Sequence, residues 1–437
     1  MNLKQRKTIS KAFTSDLKEI TVAGWIQQVR DLGGLRFVKL QDRTGIIQIV
    51  LPKKKVSQEI FSLDLQEGDI ISVSGEIVDN NSAPEGKEIL PAKLEIINKR
   101  VQEYPIDITD KIETNPDKRY DYRFLDLRNR KVAQIFEIES CVAYAIEEYF
   151  RLNDFLQFFS AKIVGSATES GANVFEISYF DKKAYLAQSP QFYKQMMLMG
   201  GFERVFEIGP VFRAEKHHTI RHLCEYTSID FEISFIDNQR DVMKVLQDAI
   251  TFALERVQKE KAESLEELNA KIDPQPKEWP IITIPESNEI LENEGKELDL
   301  YDDLDAEAER IIGKYVKDKW NSDFVFVDLY PWDVRPFYTM KDDNDPRLTK
   351  SFDLLYKGQE LTTGGQREHR VNILTEQALE KGFEIAHVDS YLQFFRNGAP
   401  PHGGSGTGIE RFVQQILSLP NIREARLLPR DPTRLKP

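Results

Sequence analysis

Two different hydrophobic rhythms divide the chain. Residues 20–30, 35–41, 46–51, 70–78 and 93–99 are short stretches rich in Val and Ile, and turn-prone segments at 31–34, 42–45, 66–69 and 80–86 separate them. Five such strands within a hundred residues predict a small closed β-barrel over residues 1–104. A charged connector is expected at 105–130. From residue 131 the spacing lengthens to that of amphipathic helices at 131–152, 239–260 and 303–319, alternating with strands near 204–213, 226–236, 324–329 and 352–361. Strands and helices without a regular βαβ period predict an α+β domain, residues 131–437, built on an antiparallel sheet flanked by helices.

Composition narrows the class. The 437 residues are 41% hydrophobic and 30% charged, as in a globular protein. No apolar run reaches membrane-spanning length, and the basic N-terminus has no apolar stretch behind it, so neither a membrane protein nor a secretory signal is expected. Cys141 and Cys224 are too few and too distant for a disulfide scaffold or a zinc site. A reduced, cytoplasmic enzyme is expected. The net charge of −13 argues against a nucleic-acid partner. The distribution of charge points the other way: residues 1–100 carry 16 basic and 13 acidic side chains, a net +3, and the remainder carries −16. Such a balance suits a protein that touches RNA locally, and the five-strand pattern has the oligonucleotide-binding (OB) barrel as its leading candidate, with an SH3-like barrel or a generic sheet as the alternatives.

The candidate chemistry lies in the second domain. In Val211-Phe-Arg213-Ala-Glu215, followed by Arg221-His222-Leu-Cys-Glu-Tyr226 and Asp230, a strand ends in Arg-x-Glu and cations return after a loop. Arg213 can clamp a phosphate, Glu215 can accept from an exocyclic amine, and Tyr226 can stack on a base. A salt-bridged surface hairpin fits this stretch equally well in isolation. In His402-Gly-Gly404-Ser-Gly406-Thr-Gly408-Ile-Glu410-Arg411, a glycine-rich loop leads into a helix whose first turn holds Arg411. Ser189, Gln191 and Lys194 can converge on one helix face, and Lys194 beside Arg367 makes a pocket for a carboxylate. Asp353 and Glu360 read by themselves as structural carboxylates, with no need to be adjacent.

Taken together these segments resemble the class II aminoacyl-tRNA synthetases. Phe212-Arg213-Ala-Glu215…His222…Tyr226…Asp230 is similar to motif 2, Gly404–Arg411 to motif 3 and residues 147–164 to motif 1. Gln188-Ser189-Pro190-Gln191-Phe-Tyr-Lys194-Gln195 and Gly364-Gly365-Gln366-Arg367-Glu-His369-Arg370 resemble the archaeal type of aspartyl-tRNA synthetase, as do Ala23-Gly24-Trp25, Arg30-Asp-Leu-Gly-Gly34 and Pro429-Arg430-Asp431. The resemblance covers essentially the whole chain. It implies aspartate activation with ATP and magnesium, then transfer to tRNA-Asp, in a homodimer. It assigns aspartate to Glu169, Ser189, Gln191, Lys194, Arg213, Asp230, Thr363 and Arg367. It assigns ATP to Arg213, Ala214, Glu215, Arg221, His222, Leu223, Tyr226, Glu360, Gly408, Ile409, Glu410 and Arg411, with Arg213 and Arg411 as the catalytic cations. Glu360 and Thr363 would hold magnesium, and Arg30, Phe37 and Gln48 would read the anticodon.

The chain also departs from the pattern. Ala161 replaces the motif 1 proline that shapes the family's dimer interface, and Ser170 stands where a second glycine is usual. In the family, enzymes strict for tRNA-Asp resemble one another in a tryptophan and a lysine at two barrel positions, and relaxed enzymes carry histidine and proline there. This chain has Gln27, which matches neither pattern, and Pro84, which matches the relaxed one, so tRNA-Asn is a second expected partner. An asparaginyl-tRNA synthetase, an AMP-forming asparagine synthetase and an inactive RNA-binding paralogue are the competing readings. The Ser189–Lys194 stretch, the barrel and the intact Arg213, Glu215, Glu360 and Arg411 speak against them in turn.

Overall fold

A computed structural model describes residues 3–14, 16–83, 86–165, 174–216, 219–299 and 301–437. The chain divides into two compact units, Met1–Pro105 and Ile106–Pro437.

The first unit is a closed barrel of strands β1 (Glu19–Asp31), β2 (Leu35–Asp42), β3 (Gly45–Pro52), β4 (Ile70–Asp79) and β5 (Lys87–Asn98), in the order β1-β2-β3-β5-β4 with β4 back on β1. Alternate residues point inward: Ile20, Val22 and Ile26, Val38 and Leu40, Ile47, Ile49 and Leu51, and Ile71 and Val73 form one buried cluster. A short parallel pairing of Gln48 with Glu88 and Ile49 with Ile89 closes the ring. The last strand starts well before the pattern 93–99 predicts. Pro91 hid its first half, because a proline cannot donate to a ladder; here it sits opposite Gly75, at a bulge where no such bond is needed.

The second unit is built on an eight-stranded sheet. Its strands are β6 (Leu156–Gln157), β10 (Arg204–Phe212), β11 (Glu225–Ser234), β12 (Ile281–Thr283), β13 (Phe324–Asp328), β14 (Ser351–Tyr356), β15 (Gln359–Arg367) and β16 (His402–Gly408), in the order β12-β13-β14-β15-β16-β11-β10-β6. Pairing is antiparallel throughout the middle and parallel only at the two ends. A separate three-stranded sheet holds β7 (Ile163–Val164), β8 (Glu176–Tyr179) and β9 (Lys182–Leu186).

Two long helices cover one face. Helix α1 (Arg130–Leu152) buries Val132, Ile135, Ile138, Val142, Ala145, Ile146 and Phe150, a stripe at three- and four-residue spacing, and the Asn129 side chain caps its first turn. Helix α3 (Gln239–Glu260) starts from a reciprocal capping box of Asn238 and Asp241. The remaining helices that matter to the site are α2 (Gln191–Met199), α4 (Ala306–Trp320), α5 (Ile385–Arg396) and α6 (Ile409–Leu417).

Two sequence expectations change here. The stretch 352–361 is not one strand but the two arms β14 and β15 of a hairpin, turning at Lys357 and Gly358, both at positive φ. The glycine-rich segment before Arg411 is not a loop but the central strand β16, between β15 and β11. Between 105 and 130, short helices Pro116–Asp121 and Arg123–Asp126 are tied to the chain's end, with Arg123 donating to the carbonyls of Arg423, Arg426 and Leu427.

Candidate active site

A cavity of about 740 Å³ opens over the centre of the large sheet, walled by β11, β15, β16, the entry to α2 and the start of α6. The glycines of β16 make room for its floor. A Cβ at Gly404 would stand 2.1 Å from Glu232 Oε2 and 2.1 Å from the Phe231 carbonyl, so only glycine lets these groups lie against the strand.

One end of the cavity is a buried ion cluster. Lys194 Nζ on α2 donates to Asp230 Oδ1 at 3.0 Å and to the Ser405 carbonyl at 3.1 Å, and lies 3.2 Å from Glu232 Oε2. Arg367, at the end of β15, donates from Nε to Glu232 Oε1 at 2.8 Å and from Nη2 to the Gly404 carbonyl at 2.9 Å and Gln191 Oε1 at 3.4 Å. Both cations therefore share Glu232, which is fully buried. Burial works to raise the Glu232 acid, but Arg367 and Lys194 hold it below the usual carboxylate value. Ser189 accepts from the Gln191 N–H at 3.1 Å and starts the helix that carries Lys194. The expected Lys194–Arg367 pocket for a carboxylate thus already holds Asp230 and Glu232, making a cluster of two cations and two carboxylates. Sequence inspection missed Glu232, yet Ser228, Asp230 and Glu232 alternate along β11, and that period places all three on one face.

The other end is rich in arginine. Arg213 lies 5.8 Å from the Tyr226 ring centroid, and Glu215 and Leu223 line the same wall. Arg221 Nη1 is held by Glu309 Oε2 at 3.0 Å, and His222 Nδ1 lies 2.6 Å from Thr219 Oγ1. Arg411, in the first turn of α6, donates from Nη1 to Glu360 Oε2 at 3.1 Å and to the Glu360 carbonyl at 3.0 Å. Thr363 Oγ1 donates to Glu360 Oε1 at 2.9 Å. Burial opposes ionisation of Glu360, but Arg411 and the Thr363 hydroxyl keep it below its ordinary value. Asp353 and Glu360, on adjacent arms of one hairpin, do interact: burial raises Asp353 to about 6, and Glu360 adds to the rise while Arg335, at 2.7 Å, opposes it.

Other residues contribute differently. Gly408 lines the cavity, whereas Ile409 packs into the core and is not part of the cavity lining. Ala214 is half-buried between Arg213 and Glu215. The Glu410 carboxylate is taken up by the Thr227 N–H at 3.0 Å and by Arg426 at 2.7 Å. Glu309, on α4, belongs to no motif that the sequence displayed; burial and then Glu360 push its acid up to about 7. Glu169 lies outside the described residues.

On the barrel, Arg30 pairs with Phe37 across β1 and β2, and Lys39, two residues on, pairs with Gln48 on β3. Arg30, Phe37 and Gln48 therefore share the outer face, with Arg30 exposed and the other two half-buried. Gln48 Nε2 donates to Glu88 Oε2 at 2.8 Å. Gln27 sits at a bulge between Ile26 and Gln28 and donates to Gln41 Oε1 at 3.2 Å. Pro84 lies outside the described residues.

Known proteins reproduce both units. The family "tRNA synthetases class II (D, K and N)" matches residues 115–432, and "OB-fold nucleic acid binding domain" matches residues 20–103. The chain is 44% identical to the aspartate–tRNA(Asp) ligase of Pyrococcus horikoshii over 436 residues, 99% of this chain and all of that one. It is also 44% identical to the aspartate–tRNA(Asp/Asn) ligase of Aeropyrum pernix over 424 residues, 96% of this chain and 95% of that one. Among solved structures, asparaginyl-tRNA synthetase from P. horikoshii bound to asparaginyl-adenylate superposes with a TM-score of 0.91 at 32% identity, covering 99% of both chains. Aspartyl-tRNA synthetase from Entamoeba histolytica gives 0.90 at 29% identity, covering 99% of this chain and 93% of that one. An aminoacyl-tRNA ligase fold runs the length of the molecule, and the chain belongs to the class II tRNA synthetases of the D, K and N group.

Proposed function

We propose that the enzyme activates L-aspartate with ATP and loads it onto tRNA-Asp and tRNA-Asn. The observation that carries this reading is the charge layout of one cavity, with the buried Lys194–Arg367 cluster at one end and Arg213, Arg221 and Arg411 at the other. The aspartate α-carboxylate attacks the ATP α-phosphate, giving aspartyl-adenylate and pyrophosphate; the terminal ribose hydroxyl of tRNA then attacks the anhydride carbonyl, forming aspartyl-tRNA and releasing AMP. Neither step needs a protein nucleophile, so the residues act by positioning and charge stabilisation. Arg213 neutralises the α-phosphate while Tyr226 and Glu215 hold the adenine, and Arg221, His222 and Arg411 take the outer phosphates. The Glu360 carboxylate and Thr363 hydroxyl are hard oxygen donors side by side, and the nearby Asp353 Oδ1 is buried without a hydrogen-bond partner. That donor set suits a magnesium ion that keeps waters and phosphate oxygens, and the ion would supply positive charge to the bridging phosphate oxygens.

Two finer assignments go with this reading. Leu152, Leu156, Phe159 and Ile163 expose a run of apolar surface around the sheet-edge strand β6, with Phe159 81% exposed, which supports a homodimer through that edge. Cys141 and Cys224 are both free and buried, which suits a reducing cytoplasm.

ATP–pyrophosphate exchange tests the proposal. Aspartate should drive exchange at least a hundredfold better than asparagine, a gap of about 2.7 kcal/mol. Lys194→Leu should abolish it while calorimetry still detects ATP binding. Preferential exchange with asparagine would instead assign the chain the activity of its asparaginyl structural neighbour. Normal aspartate exchange in the Lys194 variant would refute the role given to that lysine.

A further inference from the structure

Behind the amino-acid end of the cavity, Arg367 and Gln191 lead into enclosed polar groups, Gln195, Tyr391 and His402, to which the proposed mechanism gives no role. Arg367 Nη2 donates to Gln191 Oε1, and Gln191 Nε2 donates to Gln195 Oε1 at 3.0 Å. Tyr391 Oη on α5 donates to the same Gln195 oxygen at 3.0 Å. Gln195 Nε2 lies 2.9 Å from His402 Nε2, and His402 Nδ1 lies 2.9 Å from the Pro400 carbonyl. Gln195 and His402 are completely buried, and Tyr391 nearly so.

The direction of every bond in this chain is dictated from its ends. A guanidinium has only donors, so Gln191 must turn its oxygen to Arg367 and its amide N–H to Gln195. The Gln195 oxygen then accepts from both Gln191 and Tyr391, and its N–H faces His402. From the far end, the Pro400 carbonyl can only accept, so His402 carries its proton on Nδ1 and accepts at Nε2. The two ends demand the same polarity, and a flipped amide anywhere would set N–H against N–H. The arrangement also needs an uncharged imidazole, and burial pushes His402 down to about 4.

We propose that Gln195, Tyr391 and His402 are positioning residues. They lock Gln191 oxygen-first against Arg367 and so fix which edge of the guanidinium meets the amino-acid substrate. Nε and Nη2 of Arg367 are consumed by Glu232, the Gly404 carbonyl and Gln191, whereas Nη1 makes no hydrogen bond among the described residues and Arg367 lines the cavity. The relay thus presents a defined edge of the guanidinium to the substrate side chain. This inference rests on the proposed aspartate activation and adds the groups that sharpen it.

The test is ATP–pyrophosphate exchange by the full-length wild type, Gln195→Leu, Gln195→Glu and Tyr391→Phe, each with aspartate and with asparagine. Gln195→Leu and Tyr391→Phe should raise KM for aspartate by about tenfold or more and narrow the preference over asparagine, with KM for ATP within about twofold of wild type. Gln195→Glu should restore both, because its carboxylate accepts from Gln191 and Tyr391 while His402 takes up a proton and donates to it. Wild-type aspartate KM and preference in Gln195→Leu would overturn the relay. So would a parallel rise of both KM values, which is what general loosening produces. A wild type inactive with aspartate would remove the underlying reading and the relay with it. An active wild type with unchanged variants would remove the relay alone.

Discussion

Glu139 lies on α1 close enough to Glu410 for the two carboxylates to repel. Burial first, and Glu410 second, push its acid from the ordinary 4.5 up to about 7, with Arg426 opposing. A folded-state acid raised in this way binds more protons than the unfolded chain. Its contribution to stability is therefore fully present below about pH 4.5 and is lost as pH rises through about 7. Glu139→Gln makes the neutral form permanent. Its melting temperature should match wild type near pH 5 and exceed it near pH 8, and calorimetric melts across that range would show it. A variant destabilised equally at both values would mean that the carboxylate supplies packing rather than charge. Burial governs the amino-acid site in the same way. Breaking one partner of a buried ion pair costs about 3–5 kcal/mol, so Lys194, Arg367, Asp230 and Glu232 must be treated as one unit. On the proposed reading, discrimination between aspartate and asparagine would rest on the direction of the offered N–H groups, since Lys194 and Arg367 are already paired with Asp230 and Glu232. The sequence displayed Lys194 and Arg367 through their motifs. Glu232 was visible only through strand alternation, and Glu309 by nothing local, because α4 reaches Arg221 and Glu360 only after folding.

At the scale of elements, legibility followed how far local chemistry fixed the backbone. Helix 239–260 was readable to the residue, since Asn238 and Asp241 announce its start. Strands β1 to β4 were readable from their Val and Ile content and the turn residues between them, to within about a residue or two at each end. The hairpin turn was legible but overlooked: Lys357-Gly-Gln-Glu360 is a polar, glycine-containing break with Lys357 exposed, and the buried residues on either side were read as one strand. Strand β16 was lost because glycine has no side chain to alternate, and its place in the sheet comes from tertiary pairing alone. The outer face of β1, β2 and β3 carries the element-scale prediction. Arg30, Phe37 and Gln48 lie together there, an exposed cation beside a half-buried aromatic and an amide, which suits stacking and hydrogen bonding of unpaired bases. Phe37→Ala should lower tRNA charging by about tenfold to a hundredfold, since a stacked base is worth about 1–3 kcal/mol. It should leave pyrophosphate exchange unchanged, because adenylate formation needs no tRNA. An equal loss in both assays would mean that the substitution only weakens the barrel.

For the molecule as a whole, the proposed charging of two tRNAs rests on the barrel. Relatives that are 44% identical include both a ligase for tRNA(Asp) and one for tRNA(Asp/Asn), so overall similarity does not decide it. The two anticodons differ at their third base, cytosine in one and uridine in the other, and discrimination depends on what the barrel offers there. Pro84 brings no charge and no backbone N–H to the Ser82–Gly86 segment, whereas a lysine at that place would bring both. Gln27 brings no charge either, and one N–H of its amide donates to Gln41 on β2. A barrel without a positively charged donor at that base should accept either pyrimidine. Charging of tRNA-Asp and tRNA-Asn transcripts should therefore agree within about tenfold, a gap of roughly 1.4 kcal/mol. Pro84→Lys should widen the gap in favour of tRNA-Asp while leaving pyrophosphate exchange as it is. A wild-type preference of about a thousandfold for tRNA-Asp, roughly 4 kcal/mol, would show that other groups on the barrel read the third base, and the lysine should then change little.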